Sequence, residues 1–324
     1  MSALNTTVSI NKNDDFFPKC NMKRRRRLNN FYAYLHLSPY LILLVSFTFI
    51  PIIFTFVISF TKWNGISSMT FIGLDNYKRV LMPNSRFFLT IFNTFAVLLM
   101  SLPINVICGL LAAHLLNSHY LKFKKFFQVS FFLPYVTTPV AIGIMWALLF
   151  DFKYGTVNGI LTQLGMLNKP INWLGSAVFA RIVLSFILIW KNFGYTSVMF
   201  LSGITTIPVE IYESASIEGA NFFQTFRKIT IPMLRPIIIF VVVTGVISGL
   251  QLFDESYLLF DGSITGSQPY GGPEYSCLTM VMNFYDAGFR YFDLGFGAAL
   301  AYAMFFVIIV FSMILLKVMT RGDE

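Results

Sequence analysis

PVEIYESASIEGANFFQTFRKITIP, running from Pro208 to Pro232, decides how the rest of this chain is read. It is a long polar-to-amphipathic stretch set between two strongly apolar ones. Pro208 stands where a first helical turn tolerates a missing N–H. Glu210 and Glu213 are expected in that first turn, where the positive end of the helix dipole favours carboxylates. Ala215 with Gly219, and Ser216 with Ala220, form two i, i+4 pairs. They predict a helix face with little side chain, open to close approach by another backbone or a partner. Gly219 suits a C-cap, since glycine takes positive φ without steric penalty. A second short helix is predicted from about Phe222 to Ile229, with Phe222, Phe223 and Phe226 as apolar knobs and Pro232 as its end. From physics alone the segment is a helix–turn–helix at a bilayer surface.

Its surroundings make that surface a membrane. The chain has 324 residues, 56% of them hydrophobic and 12% charged. A soluble domain carries about twice that charged fraction. The expected class is therefore an all-α integral membrane protein. A formal charge of +9 raises the question of nucleic acid, but its distribution answers it. Lys23 to Arg27 is a run of five basic residues just ahead of the first apolar segment, where a topology determinant belongs. No nucleic-acid partner is expected. Residues 1–35 are polar and predict a disordered, basic cytoplasmic tail without a cleaved signal peptide. Residues 36–324 are expected to form the membrane domain. Cys20, Cys108 and Cys277 fall in a tail, an apolar segment and a loop, with no spacing suited to a disulfide or a metal.

Six apolar spans are predicted, near Tyr40–Phe60, Phe88–Leu116, Phe126–Phe150, Val178–Leu201, Pro236–Phe253 and Leu294–Leu316. Pro134 and Pro139 predict a kinked or interrupted third span, which a membrane tolerates when neighbours satisfy the freed backbone groups. The fifth span is the shortest. An even number of spans places both termini on one side. Taking the tail side as cytoplasmic collects fifteen Lys and Arg there, including Lys122, Lys124, Lys125, Arg227, Lys228 and Arg235, against seven outside. The positive-inside rule thus puts the Pro208–Pro232 loop and both termini in the cytoplasm.

Within that loop, Glu213-Ser214-Ala215, three residues, Gly219, nine residues and Ile229-Thr230-Ile231-Pro232 resembles the EAA loop of ABC-importer permeases. The family pattern is Glu-Ala-Ala, three spacers, Gly, nine spacers, then Ile-x-Leu-Pro. Ser214 and Ile231 depart from it while keeping size class and spacing. Trp63-Asn64-Gly65, Phe71 to Tyr77, Asn93-Thr94, Phe253-Asp254-Glu255 and Gly271-Gly272-Pro273 are similar to the carbohydrate-uptake branch related to maltose permeases. The last external loop, through Asp261 to Tyr270, is longer than that branch usually shows.

The resemblance implies a type I importer permease fold with a cytoplasmic coupling loop at 203–235, whose residues Glu213, Ala215, Gly219, Ala220, Ile229 and Pro232 meet an ATPase. It also implies a sugar or oligosaccharide as solute. The implied partners are a second homologous permease, two cytoplasmic ATPase subunits that bind ATP and Mg, an external solute-binding protein and membrane lipid. The implied location is a bacterial or archaeal cell membrane, crossed many times.

The residues themselves argue against catalysis. His36, His114 and His119 lie in or near different spans, and no His-Glu-x-x-His is present. Asp254, Glu255, Asp261, Glu274, Asp286 and Asp293 read as a solvated external loop face. A phosphate-binding P-loop needs Lys followed by Ser or Thr, because the Lys neutralises phosphate and the hydroxyl holds Mg²⁺. No Lys here is so followed. No catalytic residue, metal or cofactor is therefore expected in this chain. An ion-coupled secondary transporter is the rival class, although no acidic residue lies in a predicted span, where such proteins place their ion sites. An ABC permease for a non-sugar solute is the other. For a polar solute path, Lys191 near mid-span, Asn192, Tyr195 and Gln251 are the candidates, since sugars need polar groups interleaved with aromatics. Lys191 could equally snorkel, or pair with a carbonyl at a bundle interface.

Overall fold

The computed structural model describes residues 22–118, 121–260 and 269–321. The expected tail up to residue 21, together with His119 and Asp261, lies outside the described residues. The chain divides into two units, Met1–Thr55 and Phe56–Glu324. In the first, helix α1 (Met22–Leu44) runs through a π turn at Val45–Phe49 into α2 (Ile50–Ile58), which continues across the boundary. The helix thus begins inside the stretch expected to be an unstructured tail. Asn30–Ile58 is long and apolar enough to cross a membrane. Within this unit, the Ser38 hydroxyl donates to the Leu35 carbonyl at 2.8 Å and Thr55 to that of Pro51 at 2.8 Å, so these polar side chains are satisfied within their own helix.

The second unit opens with a two-residue hairpin, Thr61–Lys62 against Thr70–Phe71. Asn64 shapes its turn by accepting from the backbone N–H groups of Ile66 and Ser67 at 3.1 and 2.8 Å. Asn76, buried in helix α3 (Asp75–Leu81), donates to the carbonyls of Ser59 and Thr61 at 3.0 and 2.8 Å. The Trp-Asn-Gly and Phe71–Tyr77 motifs therefore build a cap on the bundle. Helix α4 (Phe87–Asn117) is a 31-residue span. After it come α5 (Lys124–Val136) and α6 (Pro139–Leu149), bent by 94° at Thr137-Thr138. The cause is local. Thr138 precedes a proline and is extended at ψ 138°, and Pro139 then starts the next helix. Helix α7 (Thr156–Gln163) follows, and α8 (Ala177–Ile204) is an unbroken span of 28 residues, about 42 Å.

The loop helices are α9 (Val209–Ile217), α10 (Phe222–Thr225) and α11 (Ile231–Met233). Helix α12 (Arg235–Leu250) is interrupted at Gln251–Phe253 before α13 (Asp254–Phe260). A short α14 (Met280–Tyr285) precedes the last span, α15 (Leu294–Thr320). Among the described residues five helices are long and apolar enough to cross a membrane, and six when α5 and α6 count as one broken span. The fifth span differs from expectation. It runs Arg235–Phe260, not to Phe253, and so takes Asp254 and Glu255 into the span. Two adjacent carboxylates look like a loop in sequence, but Glu255 is only 7% exposed here.

Helix α8 is the hub. Leu184 and Ile187 pack with Ile142 and Trp146 of α6 and with Leu259 and Phe260 of α13. Toward its other end Phe200 and Ile204 meet Leu110 and Ala113 of α4 and Val241 of α12. Lipid tails are as apolar as leucine, so close packing and not water exclusion has to hold such helices together. Gly194 is the sharpest case: a Cβ there would overlap the Phe131 carbonyl, so α8 touches the α5 backbone directly.

Candidate functional site

Two places in the second unit gather the candidate residues. The first is the loop after α8. Helix α9 ends in a Schellman arrangement, with Ala220 N–H donating to the Ala215 carbonyl at 2.9 Å and Gly219 N–H to that of Ser216 at 3.1 Å. Gly219 sits at φ +78°, and a Cβ there would meet nothing within 4 Å. Asn221 then caps α10, exchanging hydrogen bonds with Gln224 at 2.9 Å each way. Beneath the loop, Ile211, Tyr212, Phe226 and Ile231 pack on the α4–α8 core, and the Tyr212 hydroxyl lies 3.2 Å from that of buried Thr230. Above it, Val209, Ile217, Phe222 and Phe223 are exposed, with Ile217 at 87%.

Three expectations change. Glu213 lies beyond the first turn of α9, which holds only Glu210, because the helix begins at Val209. Ala215 faces the chain's own interior, 7% exposed, while Glu213, Ser216 and Gly219 face out. The small face is thus split between support and exposed surface. Pro232 does not end the second helix. A π turn over Phe226–Thr230 carries the chain into α11, where Pro232 takes a first-turn position that needs no N–H. Ile229 is half-buried, Ala220 likewise, and Pro232 is exposed.

The second place is a cavity of about 380 Å³ between α4, α5, α8, α12 and α13. All four path candidates line it: Lys191, Asn192, Tyr195 and Gln251. The wall also includes Ser101, Asn105, Tyr135, Thr244, Ser248, Asp254 and Glu255, which sequence reasoning missed. Tyr135 stacks on Tyr195 with ring centroids 4.7 Å apart and planes 16° apart. Lys191, about 21 Å along α8 from its start, forms an ion pair with Glu255. Their side chains are 16% and 9% exposed. The basic residue thus pairs with a carboxylate from another helix, where snorkelling or a carbonyl was the alternative. A signal existed: a mid-span Lys needs a counter-charge, and the shortest predicted span was followed at once by two acids. Of the other missed wall residues, Ser101 with Asn105 on α4 and Thr244 with Ser248 on α12 form two i, i+4 polar pairs within apolar spans, and Tyr135 lies one residue before the break after α5.

Arg181, the other charge in α8, serves the external loop. It donates to the Ser276 carbonyl at 3.1 Å and to Asn93 Oδ1 at 2.9 Å. Asn93 in turn donates to the carbonyls of Tyr275 and Leu278 at 2.7 and 3.2 Å. Thr94 accepts from Met280 N–H at 3.2 Å. Asn93 and Thr94 thus pin the strap that follows Gly271-Gly272-Pro273. Cys277 lies within this strap, 0% exposed. Burial pushes its thiol up to about 12, more than the Ser276 hydrogen bond and the charge of Arg181 pull it down. Because the thiolate is the reacting species, Cys277 is expected to resist maleimide at neutral pH until the protein is denatured. Quantifying its modification before and after denaturation checks this, and rapid labelling of the native protein would contradict the packing of the strap.

Of the expected external acids, Glu255 and Asp286 are buried, the latter 6% exposed, while Asp254 and Glu274 face solvent or the cavity. Among the described residues no group of three His, Cys, Asp or Glu side chains is placed to hold a metal.

The family model for a binding-protein-dependent transport system inner membrane component matches residues 105–322. The arabinooligosaccharides transport system permease protein of Bacillus subtilis is 32% identical over 285 residues, covering 88% of this chain and 87% of its own. The trehalose/maltose transport system permease protein of Thermococcus litoralis is 32% identical over 287 residues, covering 88% and 92%. A crystal structure of a bacterial alginate ABC transporter, in complex with an alginate pentasaccharide-bound periplasmic protein, has a chain that shares the fold. Its TM-score is 0.77 at 21% identity, over 92% of this chain and 97% of that one.

Proposed function

Given that this chain belongs to the family of binding-protein-dependent transport system inner membrane components, we propose that it is the permease subunit of an ATP-driven importer for a sugar or oligosaccharide. The observation that carries the reading is the cavity, where Lys191, Asn192, Tyr195 and Gln251 meet at mid-span beside a tyrosine stack. Hydroxyls and amides offer hydrogen bonds to a polyhydroxylated solute, and the Tyr135–Tyr195 pair offers an apolar face to a sugar ring. The sugar names of two relatives at 32% identity support the solute class.

The energy comes from partners. The exposed loop surface around Glu213 and Gly219, rimmed by Val209, Ile217, Phe222 and Phe223, is the docking face for an ATPase that binds ATP and Mg. Tyr212, Phe226 and Ile231 carry its movement into the α4–α8 core. An external solute-binding protein delivers solute, a second homologous permease completes the bundle, and both termini are cytoplasmic. Glu255 within a span removes the sequence argument against an ion-coupled carrier, since such carriers use intramembrane carboxylates. Family membership, not the lack of acids, decides between the two.

Orientation supplies the test. Single cysteines at Ser216 and Lys169, both exposed, with Cys20, Cys108 and Cys277 replaced, should label from opposite faces. A membrane-impermeant maleimide applied to intact cells is expected to reach position 169 alone. Labelling of position 216 from outside would remove the loop from the side where ATP is, and with it this function.

A further inference from the structure

The cavity's hydrogen-bonding groups say that its solute is polar, and its charges say more. Its lining holds one ammonium, Lys191, and two carboxylates, Asp254 and Glu255. Among the described residues Lys191 is the one basic side chain on that wall, and Glu255 occupies it. Asp254 is exposed, and among the described residues no ion pair involves it. One positive against two negative charges leaves the wall net negative, with no cation among the described lining residues free to meet a solute carboxylate. Every other polar group there is a hydroxyl or an amide: Ser101, Asn105, Thr244, Ser248 and Gln251 among them. A buried ion pair adds little net stability, because desolvating both charges offsets their attraction. Its effect here is to cancel the charge of Lys191.

Resting on the reading of the cavity as a sugar path, we propose that it selects uncharged sugars over acidic ones, with Glu255 the specificity-determining residue. Glu255 masks the ammonium that would otherwise hold a uronate carboxylate, and Asp254 repels that carboxylate. An anion entering this wall loses water and gains no counter-charge. Removing the Glu255 charge frees Lys191, a compact triple donor, to receive one.

The charge and the sugar are tested separately in the whole importer complex. The permease carries Ser248→Cys in place of its native cysteines. Rates of thiol modification by a cationic trimethylammonium methanethiosulfonate and an anionic sulfonate analogue are compared, normalised to free cysteine. The cationic reagent is expected to win by at least tenfold. That preference should fall toward parity in Asp254→Asn and in Glu255→Gln, and reverse in the double variant. Asp254→Asn leaves the Lys191–Glu255 pair intact, so it reports even if Glu255→Gln folds poorly. A parent ratio at parity or below, or one that neither substitution moves, overturns the proposal. The second arm asks which sugar shields the thiol. Maltotriose is expected to slow modification in every variant, and trigalacturonate only where Glu255 is Gln. Equal shielding of the parent by trigalacturonate also overturns the proposal. If neither sugar shields any variant while the reagent ratios shift as expected, the sugar path itself fails and the charge assignment stands.

Discussion

Gly219→Asp is expected to leave this permease at near-normal abundance in the membrane while abolishing uptake and its retention of ATPase subunits. Two magnitudes separate those effects. Within the chain the cost is small: φ is +78°, where an L-residue pays on the order of 1–2 kcal/mol, and Asp is among the residues that tolerate it best. Nothing lies within 4 Å of the added Cβ, so no neighbour has to move. Against a docked partner the cost is larger, because an uncompensated charge buried in an interface destabilises by roughly 3–5 kcal/mol. The Schellman bonds of Gly219 and Ala220 involve backbone only and should persist. Ser214→Ala is the control. Its hydroxyl donates to the Glu210 carbonyl of its own helix at 2.8 Å, so uptake should be unchanged. Membrane abundance, co-purified ATPase and uptake are measured together. Normal uptake by Gly219→Asp at normal abundance would make this loop an ordinary surface hairpin.

Gly194→Val is expected to fail in the opposite way, by losing the folded protein. The new Cβ would overlap the Phe131 carbonyl, and no rotamer relieves a clash with backbone. Helices α5 and α8 would have to separate. The Phe131–Phe193 contact at 4.9 Å and the Tyr135–Tyr195 stack at 4.7 Å flank that point and would be disturbed with it. Overpacking costs about 1–3 kcal/mol, occasionally more, enough to lower abundance several-fold. Gly159→Val in α7 is the matched control, because a Cβ there meets nothing within 4 Å. Detergent-extracted protein, followed by size-exclusion elution, reads both variants. A monodisperse Gly194→Val at normal yield would refute the direct α5–α8 backbone contact.

What the sequence made legible follows from which signals are local. Apolar runs between charges located the second, third, fourth and sixth spans to within a few residues, but missed the start of the first by ten residues and the end of the fifth by seven. Pro134 with Pro139 foretold the broken third one, though not its 94° angle. Gly219 as a C-cap depended only on a glycine after a helical pattern. The errors came where tertiary partners override local chemistry. Asp254-Glu255 looked like a loop because burial of Glu255 depends on Lys191, more than sixty residues away. Pro232 looked like a terminator because the π turn that accommodates it leaves no pattern in apolar spacing. Ala215 and Gly219 share a face by their spacing, yet only the packing of the loop on α4 and α8 decides which of them is covered. Asn93 and Thr94, legible only as a motif, proved to hold the external strap through backbone carbonyls and an N–H nearly two hundred residues away.

The central claim is that a partner's ATP, acting through the Glu213–Gly219 surface, drives solute through the cavity at Lys191. Proteoliposomes holding the whole importer test it most directly, with the loaded binding protein outside and ATP enclosed. With an ionophore present to abolish any proton or sodium gradient, uptake is expected to continue while ATP lasts and to stop when ATP is omitted. Uptake that collapses with the gradient despite ATP, or that an imposed gradient drives without it, would contradict the account and assign Glu255 an ion-coupling role.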